Sequence, residues 1–356
     1  MSDARDTPRA GIVVPVAELT PVLDFLTESI GFLVEDIFPA DDPRRCTVFG
    51  FGSRLHLELG TPRPTTIRLR TTDPELLNRG LVRGPDALNI EFENAEPDLH
   101  LPPLVSSFSI THAADSWHTG RAGMNYRDLV PDRQGGAVIA SHIRIPGAGP
   151  VSDYVHFHDI AFQLIFCRRG QVTVVYEDQG EPFVLTAGDC VTQPPRIRHR
   201  VLESSDDLEV IEIGYPAEHI TRADPSISLP TATFDPSRSW DGQTFVRHRR
   251  STAPSDVIAA GVTRTDTGVA RGTHDLADVS QIDIDASTWE CPQASDKEFV
   301  LLVALEGTGE GRVDGDSTSE SNSLAPASAL VVPVGHHATV TSTGRLSLLQ
   351  VRIRTI

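Results

Sequence analysis

The sequence predicts a mainly β protein, in which two tandem β-barrels follow a small α+β module. Three observations carry this prediction. The 356 residues exceed what one hydrophobic core usually covers, so two or three domains are expected. Short strands separated by Gly, Pro and Asp turns run from about residue 104 to 216 and return from about 244 to 356. A helical period of apolar residues occurs near the N-terminus, between strand-like segments.

The N-terminal module is predicted to span residues 1–90 in the order strand, helix and three strands. A β-branched run predicts the first strand over 11–16. Thr20 and Pro21 predict the N-cap and first position of a helix, and Gly31 predicts its end. Its apolar positions recur at helical spacing at Leu19, Val22, Leu23, Leu26 and Ile30. Three further strands are predicted over 32–37, 46–51 and 54–59.

This order of elements, with the segments PVAELTPVLDFLTESIGF and RLHLELG, resembles one module of a known superfamily. The superfamily comprises glyoxalases, bleomycin-resistance proteins and ring-cleaving dioxygenases, the vicinal oxygen chelate proteins. The resemblance implies a βαβββ fold for residues 1–90. No second module is predicted.

Two segments of irregular composition predict the remaining boundaries. Residues 91–103 are acidic and Pro-rich, and residues 219–242 are rich in Pro, Ser and Asp. The first β-domain is therefore assigned to residues 91–225 and the second to residues 226–356.

Charge and cysteine content limit the classes of function. A net charge of -18 and a pI near 5.1 argue against nucleic acid or an anionic membrane as the partner, so a small molecule is expected. The four cysteines form no CxxC pair, which indicates free thiols in a reducing compartment. The N-terminus is charged, and no apolar run approaches the ~18 residues of a membrane span. We expect a soluble, cytoplasmic protein.

Three histidines form the strongest chemical signal. His156 and His158 are two apart in a predicted strand, so both imidazoles can point to one ion, and Tyr154 shares their face. His199 lies 41 residues beyond His158, after two turns and a strand. A meander of that length can return beside the first strand and add a third imidazole. The spacing predicts one divalent transition metal.

The same segment resembles the cupin superfamily. Its first motif is matched by Gly149, His156, His158, Gln163 and Gly170, and its second by Gly188, Pro194 and His199, with Arg196 in the position of a Gly. The resemblance implies a β-barrel whose metal ligands are His156, His158, His199 and the residue at 163. Gln163 replaces the Glu of the family, so the site keeps more positive charge and suits an anionic substrate. Gln163 is either a direct ligand or a hydrogen-bond partner of one, and it faces the metal only if the strand is interrupted after His158.

Neighbouring polar residues have two possible orientations each. On the strand AVIASHIRI, His142 and Arg144 share one face, and Ser141, Ile143 and Ile145 share the other. If the polar face lines the barrel, Arg144 binds a substrate carboxylate and His142 transfers protons. The alternative is surface exposure. Glu212 is likewise either a barrel-lining, substrate-binding acid or an outward strand residue. Arg196, Arg198 and Arg200 should point outward if His199 points inward.

The C-terminal β-domain resembles a second cupin through FVLLVALEGTGEGRV and LAPASALVVPVGHHATV. Its ligand positions are occupied by Gln293, Ser295, Val300 and Ala338. His336 and His337 are displaced by one or two residues from the histidine position. The resemblance therefore implies a degenerate, metal-free cupin with a structural or dimer-forming role, and a homodimer is expected.

The resemblance implies a function for the metal. Neutral three-histidine sites of cupins often hold ferrous iron, so the leading hypothesis is an Fe(II) dioxygenase acting on a small anionic, oxygen-chelating organic substrate, with Tyr154 or Gln163 orienting it. One alternative is a non-redox isomerase, cyclase or lyase with Zn(II), Ni(II) or Mn(II), in which His142 or Glu212 moves a proton. Another is a non-catalytic cupin that binds a small molecule.

Overall fold

A computed structural model describes residues 10–120, 123–315 and 321–356 of the chain. Residues 1–9, which belong to the charged N-terminal segment, lie outside the described residues. The chain divides into two compact units, Met1–Asp98 and Leu99–Ile356. The predicted boundary at residue 90 falls inside a strand of the first unit, Leu88–Asn94.

The first unit contains two successive sets of strands, each interrupted by a helix. The first set has β1 Ile12–Val16, α1 Leu19–Asp24 continued by a π-helical turn Phe25–Ile30, β2 Leu33–Phe38, β3 Arg45–Gly50 and β4 Ser53–Leu59. The second has β5 Thr65–Thr71, α2 Pro74–Leu77, β6 Leu81–Arg83, a 3-10 turn Pro85–Ala87 and β7 Leu88–Asn94. The sheets have the orders β1-β4-β3-β2 and β5-β7-β6, and in both the first strand is parallel to the last.

The predicted order of strand, helix and three strands is confirmed over residues 12–59. The helix begins at Leu19 after an N-cap at Glu18, so the start predicted at Thr20 and Pro21 is wrong, and it ends at Gly31 with a φ of 103°. Its buried positions pack in one apolar cluster with both sheets, which includes Leu19, Val22, Leu26, Val48, Leu57, Ile90 and Phe92. The second, shorter strand–helix–strand set was not predicted from the sequence.

The second unit is built almost entirely of strands. They are β8 Ser109–Thr111, β9 His118–Thr119, β10 Asn125–Asp128, β11 Ile139–Arg144, β12 Gly149–Pro150, β13 His156–Asp159, β14 Phe162–Arg169, β15 Gln171–Tyr176, β16 Phe183–Thr186, β17 Cys190–Thr192, β18 His199–Ser204, β19 Glu209–Tyr215, β20 Ile220–Ala223, β21 Ser239–Trp240, β22 Gln243–Thr244, β23 Arg247–His248, β24 Asp256–Ala259, β25 Val262–Asp266, β26 Ala277–Asp285, β27 Thr288–Cys291, β28 Glu298–Gly307, β29 Gly309–Val313, β30 Asn322–Leu324, β31 Ala329–Val332, β32 Ala338–Thr341 and β33 Arg345–Arg354. Short helical segments, among them a 3-10 turn Arg133–Gly136 and α3 Val269–Gly272, interrupt them.

Each β-domain is a pair of antiparallel sheets. In the first domain the sheets have the orders β23-β17-β14-β19-β11-β10-β9 and β16-β15-β18-β13-β20. In the second they have the orders β24-β25-β26-β33-β28-β31-β8 and β27-β32-β29-β30. Apolar side chains from both sheets fill the interior of each domain. The predicted mainly β fold with two tandem barrels after a small α+β unit is confirmed.

The two seven-stranded sheets pack back to back. On β14, Phe162, Leu164 and Phe166 enter a cluster shared with the second domain, while Ile165 and Cys167 face the interior of the first. The strand β28 is buried on both faces, which explains its uninterrupted apolar sequence FVLLVAL. The alternation of side chains along β14 therefore decides which of its residues face the interior of the first β-domain.

The two β-domains also exchange strands. β8, which lies near the start of the first predicted domain, pairs with β31 of the second. β23, which follows residue 225, pairs with β17 of the first. Each seven-stranded sheet is therefore completed by a strand from the other side of the predicted division at 225/226.

Candidate metal centre

Three buried imidazoles converge in the first β-domain. His156 on β13 is the direct cross-strand partner of His199 on β18, and His158 follows on the same face of β13. The nitrogens that could bind an ion lie within 4.8 Å of one another, and all three residues are buried. Such a group satisfies the geometric requirement for binding one transition metal.

Hydrogen bonds fix the orientation of each imidazole. The Nδ1 atoms of His156 and His199 lie 2.8 Å and 3.0 Å from the main-chain oxygens of Tyr154 and Ile197. Nδ1 of His158 lies 2.9 Å from Oγ1 of Thr221. Because a carbonyl only accepts, Nδ1 of His156 and of His199 carries the proton, which makes Nε2 the ligand nitrogen. Three neutral imidazoles with this support fit a divalent ion of the Fe(II), Ni(II) or Zn(II) type.

Gln163 lies on the inner face of β14. Strand β13 ends at Asp159 and β14 begins at Phe162. This is the interruption after His158 that Gln163 needs in order to face the metal. Nε2 of Gln163 donates to Oε1 of Glu212 at 2.5 Å. Its own Oε1 is buried and has no hydrogen-bond partner. A buried orphan oxygen of this kind is an atom that a metal ion or a water would satisfy.

The three histidines border a cavity of about 80 Å³ inside the barrel. Its other polar borders are Tyr176, Gln193, Arg200 and Glu212. The remaining wall is formed by apolar side chains, chiefly Met124, Ile143, Ile145, Ile165, Val172, Val174, Val201, Leu208 and Val210, together with Tyr126. The cavity can therefore bind a molecule that is polar where it meets the histidines and apolar elsewhere.

Glu212 borders the cavity, which is one of the two orientations that the sequence left open for it. Tyr154 is half-exposed and does not border the cavity, and its ring lies edge-on to His156 at 5.7 Å between centroids. Arg200 was expected to point outward but borders the cavity, and its Nε is buried without a hydrogen-bond partner.

The expectation that His142 and Arg144 line the barrel is wrong. Ile143 and Ile145 border the cavity, and strand alternation turns His142 and Arg144 to the other face of β11. Arg144 is half-exposed and stacks on Trp117, with 4.2 Å from its Cζ to the ring centroid. Neither side chain can act on a ligand in the cavity from there.

His142 belongs instead to a buried ionic network. Its Nε2 lies 2.8 Å from Oε2 of Glu209, and its Nδ1 lies 3.1 Å from Nη2 of Arg127. Burial lowers the pKa of His142, so it is a neutral bridge that accepts from Arg127 and donates to Glu209. Burial opposes ionisation of Glu209, but the hydrogen bond from His142 and the charge of Arg168 outweigh it and lower its pKa to about 2.

Several residues next to the three histidines were not identified from the sequence. The His219 ring lies 5.3 Å from that of His158 between centroids, and Thr221 supports His158 from β20. Tyr176 stacks on His199, and its hydroxyl accepts from Gln193 at 2.9 Å. Residues 219–242 had been assigned to a linker, so the strand β20 beside β13 was missed. The only available signal was the presence of one more histidine soon after the second motif.

The equivalent positions of the second β-domain are different. Val300 and Ala338 are buried in an apolar interior, whereas Gln293 and Ser295 are exposed. His337 lies 2.7 Å from Asp314, and both are half-exposed. Within the parts of the chain that the structure describes, the one candidate cluster of metal-binding side chains is that of His156, His158 and His199.

Comparison with known protein families supports the cupin resemblance. The family model of the cupin domain matches residues 142–214, the segment that carries all three histidines. This segment is a cupin domain. Comparison with curated protein sequences gives no match.

Solved structures share the fold of both β-domains. Salicylate 1,2-dioxygenase from Pseudaminobacter salicylatoxidans has a TM-score of 0.52 at 14% identity, over 71% of this chain and 86% of that one. Oxalate decarboxylase from Bacillus subtilis has a TM-score of 0.52 at 10% identity, over 72% and 78%. Procruciferin, an 11S globulin of Brassica napus, has 0.50 at 11% identity, over 70% and 85%. Two enzymes and a globulin share this bicupin fold, so the fold alone does not assign a reaction.

The N-terminal resemblance to the vicinal oxygen chelate proteins stays a prediction. Among the described residues, no helix is long and apolar enough to cross a membrane.

Proposed function

We propose that the chain is a metal-dependent cupin enzyme, an iron(II) dioxygenase acting on a small, anionic, oxygen-chelating organic substrate. The observation that carries the proposal is the buried group of three imidazoles, with the amide of Gln163 where the family has a carboxylate. This neutral donor set leaves the charge of a divalent ion uncompensated, and a chelating anion can then compensate it. Iron(II), when bound, would supply the redox chemistry that a reaction with dioxygen requires.

The residues around the histidines would bind and orient the substrate. The apolar wall formed by residues such as Ile143, Ile165 and Val210 excludes water and fits the hydrocarbon part of the substrate. Arg200 is the cationic residue at the border of the cavity and would add to the attraction for an anion. Tyr154, which lies outside the cavity with its ring edge-on to His156, would act on the bound substrate only through that imidazole.

A non-redox isomerase, cyclase or lyase is the second candidate. The observation that favours it is Glu212, a carboxylate at the border of the same cavity that could move a proton on a polarised substrate. In that reaction the ion would be Zn(II), Ni(II) or Mn(II), and dioxygen would not be consumed.

One experiment separates these candidates. Protein purified without oxygen is analysed for metal and then tested for oxygen uptake with catechols, hydroxyaryl acids and 1,3-diketones. We expect one iron per chain and oxygen uptake equal to the substrate consumed, with both atoms of ¹⁸O₂ in the product. Turnover without oxygen uptake would favour the non-redox enzyme, and binding without turnover would favour a non-catalytic small-molecule-binding cupin.

A further inference from the structure

Gln163 and Glu212 form a hydrogen-bonded pair, and Glu212 borders the same cavity as the three histidines. They lie on adjacent antiparallel strands, where Gln163 is opposite Gly214 and Glu212 is opposite Ile165. The two side chains are thus diagonal neighbours on the inner face, within reach of each other. Gln163 is 1% exposed, and the 2.5 Å contact from its Nε2 to Oε1 of Glu212 is its one hydrogen bond through the side chain among the described residues.

The chemistry of this contact fixes the direction of the amide. An ionised carboxylate only accepts hydrogen bonds, so the amide must turn its NH₂ group toward Glu212. The carbonyl Oε1 then points away from Glu212, into a buried place where it has no hydrogen-bond partner. Because an unsatisfied buried acceptor destabilises the folded chain, a ligand at this oxygen would be favourable. An amide oxygen can ligate a divalent metal, whereas an amide NH₂ cannot.

We propose that Glu212 is a positioning residue that holds the Gln163 amide with Oε1 toward the three-histidine centre, where Oε1 is the fourth protein ligand of the metal. This inference rests on the proposed function, since it requires that a metal binds at His156, His158 and His199. It divides the role of the family's Glu between two strands. Gln163 provides the oxygen donor, and Glu212 fixes the direction of that amide without ligating the ion.

Metal binding by the full-length, metal-free protein tests the pair without any substrate. Co(II) is titrated into the wild type and followed by its visible absorption, which reports the number and type of ligands. Glu212→Gln lets the amide turn over, and we expect Co(II) binding to weaken roughly tenfold with a changed absorption spectrum. Glu203→Gln makes the same chemical change at an exposed position on β18, and we expect it to bind as the wild type does.

The same substitution in a Gln163→Met protein distinguishes a positioning role of Glu212 from a simple effect of its charge. Gln163→Met removes the amide at nearly constant size and should itself weaken Co(II) binding. If Glu212 acts through Gln163, adding Glu212→Gln to Gln163→Met should change the affinity by less than about twofold. An equal tenfold loss in both backgrounds would overturn the proposal, because it would show that Glu212 acts by charge alone.

The exchanged pair gives an independent check. Gln163→Glu alone places two carboxylates in contact, but Gln163→Glu with Glu212→Gln rebuilds one amide–carboxylate hydrogen bond with the carboxylate at the family's ligand position. We expect the double variant to bind Co(II) at least as tightly as the wild type. Binding weaker than in either single variant would contradict the pairing. Absence of Co(II) binding by the wild type would instead overturn the proposed metal centre, which is a separate result.

Discussion

The residues that would hold a metal could be predicted from spacing, but their supports could not. His156, His158 and His199 converge because a two-residue step in a strand and a returning meander are local geometric rules. The pairing of Gln163 with Glu212 joins residues 49 apart, and no local rule selects that partner. Gln163 can face the metal only if the strand is interrupted after His158, and the structure has this interruption between Asp159 and Phe162.

His199→Ala should remove the metal and leave the fold. The barrel interior is an apolar cluster of its own, including Val174, Ile197 and Val210, so the ion adds little to folding. We expect the metal content to fall from one per chain to near zero, while the melting temperature of the metal-free protein changes by only a few degrees. His100→Ala, at an exposed position, is the control. Loss of soluble protein specifically in His199→Ala would indicate a structural metal instead.

Glu209 should make the stability of the protein depend on acidic pH. Its pKa is lowered from an ordinary 4.5 to about 2 in the folded chain, so its ionised form stabilises the fold above pH 4.5. That contribution is lost as the pH falls from about 4.5 to about 2. Glu209→Gln should lower the free energy of unfolding by roughly 3 kcal/mol at neutral pH, because it leaves Arg168 and the hydrogen-bonded His142 without their anionic partner.

Denaturant unfolding measured from pH 2 to pH 7 checks this prediction. The variant should show a smaller decline between pH 4.5 and pH 2 than the wild type. Asp207→Asn, an exposed change two residues away, should keep the full decline. The same pH dependence in Glu209→Gln and in the wild type would contradict the assigned role.

At the scale of the strand, β11 shows what alternation can and cannot predict. The sequence separated His142 and Arg144 from Ile143 and Ile145 correctly, since the period of two is a property of any strand. Which face meets the cavity depends on what covers the other face. Here a second β-domain covers it, and Arg127 on the neighbouring strand donates to the main-chain oxygen of Ala327 at 2.6 Å. His142 is thus buried between the two domains, Arg144 on the same face reaches the surface, and the apolar face lines the cavity.

Substitutions on the two faces of β11 should therefore have different effects on ligand binding. Ile143→Ala shortens a side chain in the cavity wall and therefore enlarges the cavity. We expect the Co(II)-loaded variant to gain affinity for a phenyl-substituted 1,3-diketone relative to its affinity for acetylacetone. Arg144→Ala should leave both dissociation constants unchanged, since its side chain lies outside the cavity. Titration followed by visible absorption measures both constants. A large loss of affinity for both ligands in Arg144→Ala would contradict the observed orientation of the strand.

At the scale of the whole molecule, the number of β-domains was predictable and their interlocking was not. Repeated short strands and turns indicated two barrels. β8 and β23 are each more than 50 residues from the strands with which they pair, so no local pattern selects these partners. Shared sheets also explain why Phe162, Leu164 and Phe166 are apolar on the side away from their own barrel.

Fragments should therefore fold or fail according to which core they keep. Residues 99–356 contain both back-to-back sheets with their exchanged strands, and residues 10–98 have a separate apolar cluster. We expect a 99–356 fragment to unfold cooperatively, with a melting temperature within a few degrees of that of the same unit in the full chain, and to bind one Co(II).

A 99–225 fragment keeps all three histidines but loses β23 and exposes Leu164, Phe166 and Ile211 to water. Because such a face is a strong drive to aggregation, that fragment should be insoluble or unfolded and should not bind Co(II). Solubility, circular dichroism and Co(II) titration distinguish the two, and a folded, metal-binding 99–225 fragment would show that the shared core is dispensable for the site.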